Sequence, residues 1–368
     1  MRKTLLSLTL AGLFMLPAAQ AEVILYGRIA AGMEVTKTFK ENGQKPKTGS
    51  DTELVDYGSN IGFKGSEQLS DRLKMIWRLE QSVPLDGSKD YGFGTRTSYV
   101  GLKGDFGTLT VGNQSHPLAY VSGYLDDYEY YNFAGVAWYG RSNDVNQRRV
   151  SIMYESPEMA GVTVRASVSP SDNVKIKESN LKERGDTAVY GLGVGYKKGD
   201  FFADVAGGYV KNGSSNRAVR ANGKLDHAYE VSTQVGYEND DVLLGVGYQI
   251  ARNVDGCNTI TPNADGECLK SQIARSNEVM ASAMYRLKNG LRLKSSVAYG
   301  FNIKDLNTET QELSPHANNG KYVHGVVGVD YKLAKNTSVN ANVGYVKAGK
   351  GDRAFAVGAV TAGLVHTF

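Results

Sequence analysis

Cysteine is almost missing from this chain, with 2 in 368 residues, so no disulfide framework holds the fold together. Proline is scarce too, at 8, and no Pro/Ser-rich linker or change of composition divides the sequence. One large repetitive domain therefore fits better than two. The five histidines (His116, His227, His316, His324, His366) are scattered, with no HExxH and no GxSxG, which argues against zinc and serine hydrolases. Nothing calls for a cofactor or a metal, and the chain reads as no enzyme. Charge of one sign is also lacking. With 42 basic and 38 acidic residues the net charge is +4, which gives no reason to expect a nucleic-acid partner. Beyond residue 21 no apolar run approaches the ~18 residues of a membrane helix.

What the chain does have begins with a leader-like segment. Arg2 and Lys3 precede an apolar run from Leu5 to Leu16 and an Ala19-Gln20-Ala21 cleavage pattern. Residues 1–21 are thus expected to be a secretory signal peptide, with 22–368 as the mature domain. Without Arg2 and Lys3, basic residues fall to 40 against 38 acids. Glycine is high at 43 and tyrosine at 22. Export, tyrosine, glycine and no spanning helix point together to an all-β envelope protein.

The periodicity supports that reading. In EVSTQVGYENDDVLLGVGYQ (230–249), Val231, Thr233, Val235 and Tyr237 alternate with Glu230, Ser232, Gln234 and Gly236. Similar ribbons recur at 162–169, 291–302 and 338–345. Period-2 alternation over about ten residues marks a strand with one dry and one wet face. Tight connections such as KKGD and LKNG alternate with long polar ones, giving about 16 strands in an up-and-down meander. A soluble sandwich would not place arginines and lysines at strand centres. A spanning sheet, by contrast, must close on itself to satisfy its backbone, leaving lipid outside and water within. Tyr99, Tyr154, Tyr237, Tyr248, Tyr285, Tyr299, Tyr331 and Tyr345, near strand ends, suit interfacial girdles. The glycine-rich GLGVGY (191–196) sits in a strand with no following helix and is not a nucleotide loop. Phe368, on the last strand, looks like the signal read by the barrel assembly machinery.

Several segments are more specific. VILYGRIAAGME (23–34), NIGFKGSEQLSDRLKMIWRLEQ (60–81), RTSYVGLKGDFGTLTVGN (96–113), SIMYESPEMAGV (151–162) and the terminal GLVHTF resemble the trimeric general porins of neisserial and other β-proteobacterial outer membranes. The resemblance implies a 16-stranded antiparallel barrel in a homotrimer, embedded among outer-membrane lipids and lipopolysaccharide. Ions and small hydrophilic solutes would pass by passive diffusion. It also implies a third long loop that folds into the lumen, with acidic groups facing a basic wall.

The third loop is residues 114–146. Its acids Asp126, Asp127 and Glu129 are the candidates for one side of a constriction. Its tyrosines, Phe133 and Trp138 suit packing against the inner wall. On the other side, strand parity offers Lys64, Lys74, Arg78, Arg96 and Arg149. The same logic turns Thr97 and Tyr99 outward, and places Arg28, Arg165, Arg292 and Lys294 in the lumen, the last two as solvated charges far from the narrow point. Met153, Asn113 and Asn60 stand where relatives often carry basic residues, so only a weak charge preference is expected. Cys257 and Cys268 flank ten residues of the sixth long loop (253–272), a spacing that reads as a local disulfide in an oxidising compartment. Two other readings stay open: a selective channel with a tyrosine track for sugars or aromatic solutes, and a closed barrel acting as adhesin or anchor.

Overall fold

Opposite demands on the two faces of each strand set the architecture. Val246 on one face of a central strand is 54% exposed, whereas Gln249 on the other is 2% exposed. A water-soluble core would reverse that order. In the computed structural model, described over residues 22–41, 43–46, 49–87, 93–122, 124–126, 128, 133–134, 148–170, 188–211, 227–255, 272–306, 313–315 and 319–368, the strands form one antiparallel sheet closed on itself. No helix among the described residues is long and apolar enough to cross a membrane.

The first half of the wall comprises β1 (Glu22–Lys40), β2 (Ser50–Asp56), β3 (Asn60–Ser70), β4 (Leu73–Ser82), β5 (Ser98–Gly104), β6 (Gly107–Gln114), β7 (Arg149–Glu155) and β8 (Val162–Ser169). A short helix, α1 (Pro117–Ser122), interrupts it between β6 and β7. The second half comprises β9 (Val189–Lys198), β10 (Phe201–Val210), β11 (Ala228–Glu238), β12 (Val242–Asp255), β13 (Gln272–Arg286) and β14 (Leu291–Leu306). It ends with β15 (Leu313–Pro315), β16 (Tyr322–Ala334), β17 (Thr337–Ala348) and β18 (Phe355–Thr367).

Eighteen segments make sixteen wall strands. β2 and β3 pair with successive parts of β1 and are one wall strand broken at residues 57–59. β15 likewise pairs with the top of β14, whose lower part pairs with β16. Closure comes from β18 on β1, where the Gly27 and Phe368 backbones exchange two hydrogen bonds of 3.0 Å. Each strand pairs with its sequence neighbour, so short turns gather at one end and long connections at the other. In outer-membrane barrels the short turns are periplasmic.

Parity puts the polar set inside. Glu230, Ser232 and Gln234 of β11 are buried in the lumen wall, while Tyr229, Val231 and Val235 face out. Tyr154, Tyr248, Tyr285, Tyr299, Tyr331 and Tyr345 are exposed on the outer face. Tyr99 is an exception. It lies directly opposite Arg78 in the β4–β5 ladder and shares its inward face, while Val100 and Leu102 point out. The expectation that Tyr99 faces outward is therefore corrected: β5 begins at Ser98, and parity cannot be carried into it from Thr97 across the irregular residues before it.

Candidate functional site

Glu80 organises one wall of the lumen. Its side chain is 4% exposed and faces inward from β4. Arg96 Nε donates to Glu80 Oε1 at 2.8 Å, the Tyr26 hydroxyl donates to Oε2 at 2.9 Å, and Arg78 pairs with Oε2. Arg78 Nε also donates to the Tyr26 hydroxyl at 2.6 Å and its guanidinium lies 5.1 Å from that ring's centre. Lys64 stands opposite Arg78 in the β3–β4 ladder, with Nζ 5.4 Å from the Tyr26 ring centre. Three cations thus converge on one buried carboxylate and one tyrosine face. Such bonds are charge-assisted and hold long side chains in fixed directions. Asn113 fixes the base of Arg96 by donating from Nδ2 to the Arg96 carbonyl at 2.9 Å.

The third loop lies on the opposite stretch of wall. At its root His116 is nearly buried: Nδ1 accepts the Leu118 N–H at 3.2 Å and Nε2 sits 3.2 Å from the Tyr190 carbonyl. The neutral Nε2–H tautomer satisfies both contacts. Leu118 and Val121 of α1 pack into the same cluster as Phe202 and Ala206 of β10. Further along, the Leu125 carbonyl accepts from Ser282 at 2.9 Å, and the Tyr128 hydroxyl reaches Ser296 and the Val326 carbonyl, each at 3.2 Å. Lys294 Nζ stacks 4.9 Å from the Tyr128 ring centre and pairs with Asp330 at 2.8 Å. Finally His324 Nε2 meets the Phe133 carbonyl at 2.9 Å. The described residues of the loop therefore follow the wall from β9 to β17. From α1, Tyr120 projects into the lumen, 4.4 Å from the Arg165 guanidinium and within electrostatic reach of Tyr99 and Arg78.

The closed barrel has counterparts among known proteins. The chain is 33% identical over 383 residues to the major outer membrane protein P.IB of Neisseria sicca, with both chains covered completely. The family described as Gram-negative porin matches residues 7–351. The chain is a Gram-negative porin. The P.IB protein of Neisseria gonorrhoeae is 32% identical over 364 residues, covering 95% of each chain. Among solved structures, the anion-selective porin of Comamonas acidovorans superposes with TM-score 0.70 at 18% identity, covering 95% of this chain and 100% of that one. OmpT of Vibrio cholerae, solved in trimer form, gives 0.61 at 17% identity over 95% and 99%. The porin thus belongs to the outer membrane and forms a channel across it.

The sequence-derived candidates do not all gather at one point of this porin. Lys64, Arg78 and Arg96 form one group. Lys74 lies near the periplasmic turn at 71–72, opposite Lys103, and belongs to the mouth rather than to that group. Arg149 opens β7 opposite Gln114, and its charge acts on His116 at the loop root. Arg28 stands opposite Asn60, one step along the ladder from Gly27. Asp126 Oδ1 accepts the Tyr128 N–H at 3.3 Å, turning the loop. Asp127, Glu129, Cys257 and Cys268 lie outside the described residues.

A second expectation is overturned. Lys294 is not a solvated charge: its side chain is 2% exposed, beneath Tyr128 and against Asp330. Arg292 also pairs with Asp330, so both cations are engaged at the wall. Tyr26 is not among the sequence-derived candidates, although it shares parity with Arg28 and joins the Glu80 cluster.

Burial holds His116 neutral and pushes its pKa down to about 4, with the Arg149 charge acting in the same direction. In the unfolded chain the ring titrates near 6.5. Between these values the unfolded chain binds a proton that the folded protein refuses, so stability falls as pH drops from about 6.5 to 4. The full loss is about 3 kcal/mol. Acidification should lower the unfolding temperature across that window, and His116→Gln should flatten the profile. An equally steep profile in the variant would remove His116 as the cause.

Proposed function

We propose that this porin is a general diffusion pore for ions and small hydrophilic solutes, narrowed between the third loop and the Tyr26–Arg78–Glu80–Arg96 cluster. The stacking of Tyr120 from α1 on the Arg165 guanidinium at 4.4 Å, in the field of Tyr99 and Arg78, carries the proposal, because it sets the root of the loop and the basic wall in one section of the lumen. Selectivity by charge is weak in this reading. Glu80 neutralises part of the charge of Arg78 and Arg96, and Glu155 pairs with Arg165 at 2.6 Å. The acids of the third loop, Asp126, Asp127 and Glu129, oppose the remainder. The working unit is a homotrimer, as the trimeric form of OmpT supports.

Planar-bilayer recording with a salt gradient tests the whole reading. Conductance steps in threes and a small reversal potential are expected. Reversing Asp126 and Asp127 to lysine should move that potential toward anions. An unmoved potential would place this loop outside the permeation path. Block by a single sugar would favour a selective channel, and silence would leave a barrel that serves as an anchor.

A further inference from the structure

The outer face of β12–β14 departs from the tyrosine-and-valine pattern of its neighbours. A row of direct cross-strand partners runs Tyr190–Tyr209–Tyr229 over β9, β10 and β11. The same row continues as Arg252 on β12, Arg275 on β13 and Lys304 on β14. Opposed residues of an antiparallel ladder share a face, and Tyr229 on that face is 39% exposed. Three like charges about 5 Å apart repel one another and weaken the sheet. Arg252 donates to the Ala251 and Ser276 carbonyls. Among the described residues none of the three pairs with a carboxylate.

Their height along the strands matters. The trio lies about ten to thirteen residues from the periplasmic turns, roughly the length over which a tilted strand crosses the hydrocarbon. That places the charges at the headgroup level of the outer leaflet. Below and beside them the outer surface is hollowed. A depression of about 440 Å³ is floored by Val246, Ala281 and Val297 and reaches Tyr299. It shares those three residues with a second hollow of about 630 Å³, where Ala283 and Ser295 keep the floor low. Tyr299 joins it to a third, of about 490 Å³, that is lined by Lys304 and Lys321. An apolar track thus ends under a cluster of cations.

We propose that this face is a binding site for an anionic outer-leaflet glycolipid, with its phosphate held by Arg252, Arg275 and Lys304 and its acyl chains laid in the track below. Guanidinium pairs suit phosphate oxygens because their N–H groups fork onto them, and neutralising the ligand removes the repulsion within the row. Continuity between track and cations favours a lipid over a free anion, which would leave the hollows without an occupant. The site is separate from the lumen, since the row and the floor of the track face outward.

The test uses the full protein in detergent and three probes: bisphosphorylated lipid A, its dephosphorylated form, and inorganic phosphate. Bisphosphorylated lipid A should bind and raise the unfolding temperature, with the dephosphorylated form at least tenfold weaker. The triple variant R252Q/R275Q/K304Q should lose at least tenfold in affinity for the phosphorylated lipid. Should the triple variant fail to fold, Ala281→Phe, which fills the track and keeps every charge, should weaken lipid binding on its own. Excess inorganic phosphate should leave lipid binding unchanged. Equal affinity of wild type and variants for lipid A would overturn the proposal, as would full displacement by phosphate.

Discussion

Replacing Glu80 with glutamine should swing the pore toward anions. Among the described residues the carboxylate is the only negative group in a cluster that also holds Arg78, Arg96 and Lys64, and it accepts from both arginines and from Tyr26. Glutamine keeps the shape and an acceptor for Arg96, so the arginines stay near their positions while the charge of the cluster rises by one. A unit charge about 4 Å from a passing ion in water is worth about 1 kcal/mol. Loss of the negative charge helps an anion and hinders a cation by that amount, so each permeability changes roughly fivefold and the anion-to-cation ratio by up to roughly 25-fold. The screening length is about 10 Å at 0.1 M salt and about 3 Å at 1 M. The shift should therefore be clear in dilute salt and shrink in concentrated salt. Reversal potentials at both concentrations give the answer. No shift in dilute salt would mean that the cluster stands away from the ion path, and the site would then have to be sought elsewhere in the lumen.

How far the sequence reveals such a site depends on what local period can encode. Parity along unbroken strands turns Arg78, Arg149 and Arg165 inward, because side chains alternate strictly as long as the ladder is regular. The reading fails where the ladder breaks. Counting from Thr97 turns Tyr99 outward, but the count runs across a connection in which Arg96 bends back to Glu80. It fails again where a partner comes from far along the chain. Lys294 alternates like any lumen residue, and nothing local shows that Tyr128 of the third loop will cover it. The aromatic richness of that loop did announce inward packing, since Tyr124, Tyr128 and Phe133 all contact the wall. Which wall residues would receive them was not legible. The receiving surface is made of small positions scattered over β9 to β17, and a glycine in a strand has several meanings. At Gly191, for instance, an added Cβ would lie 2.2 Å from His116 Nε2.

Gly344 gives the strongest lever on the loop. It faces the lumen from β17, between Asn342 and Val346, and the third loop rests directly on it. An added Cβ would lie 1.7 Å from the Phe133 carbonyl oxygen and 2.8 Å from the Ala134 Cα. Both obstacles are backbone, so no change of rotamer relieves the clash. Carbon atoms need about 3.5–4.0 Å, and the loop backbone must therefore retreat by roughly 2 Å toward the pore axis. Retreat breaks the His324 contact to Phe133 and pulls on the Tyr128 anchor. Gly344→Val is thus expected to reduce single-channel conductance to roughly half and to lower the size limit for neutral solutes, as narrowing at a constriction does. Gly325→Val on the adjoining strand is a control for the substitution itself, since it faces outward with Val323 and Val327, an added Cβ there meets nothing within 4 Å, and its conductance should equal that of wild type. If both variants conduct alike while remaining folded, residues 133–134 do not border the narrow section. The limiting passage would then have to lie nearer α1 and Tyr120, at the root of the same loop.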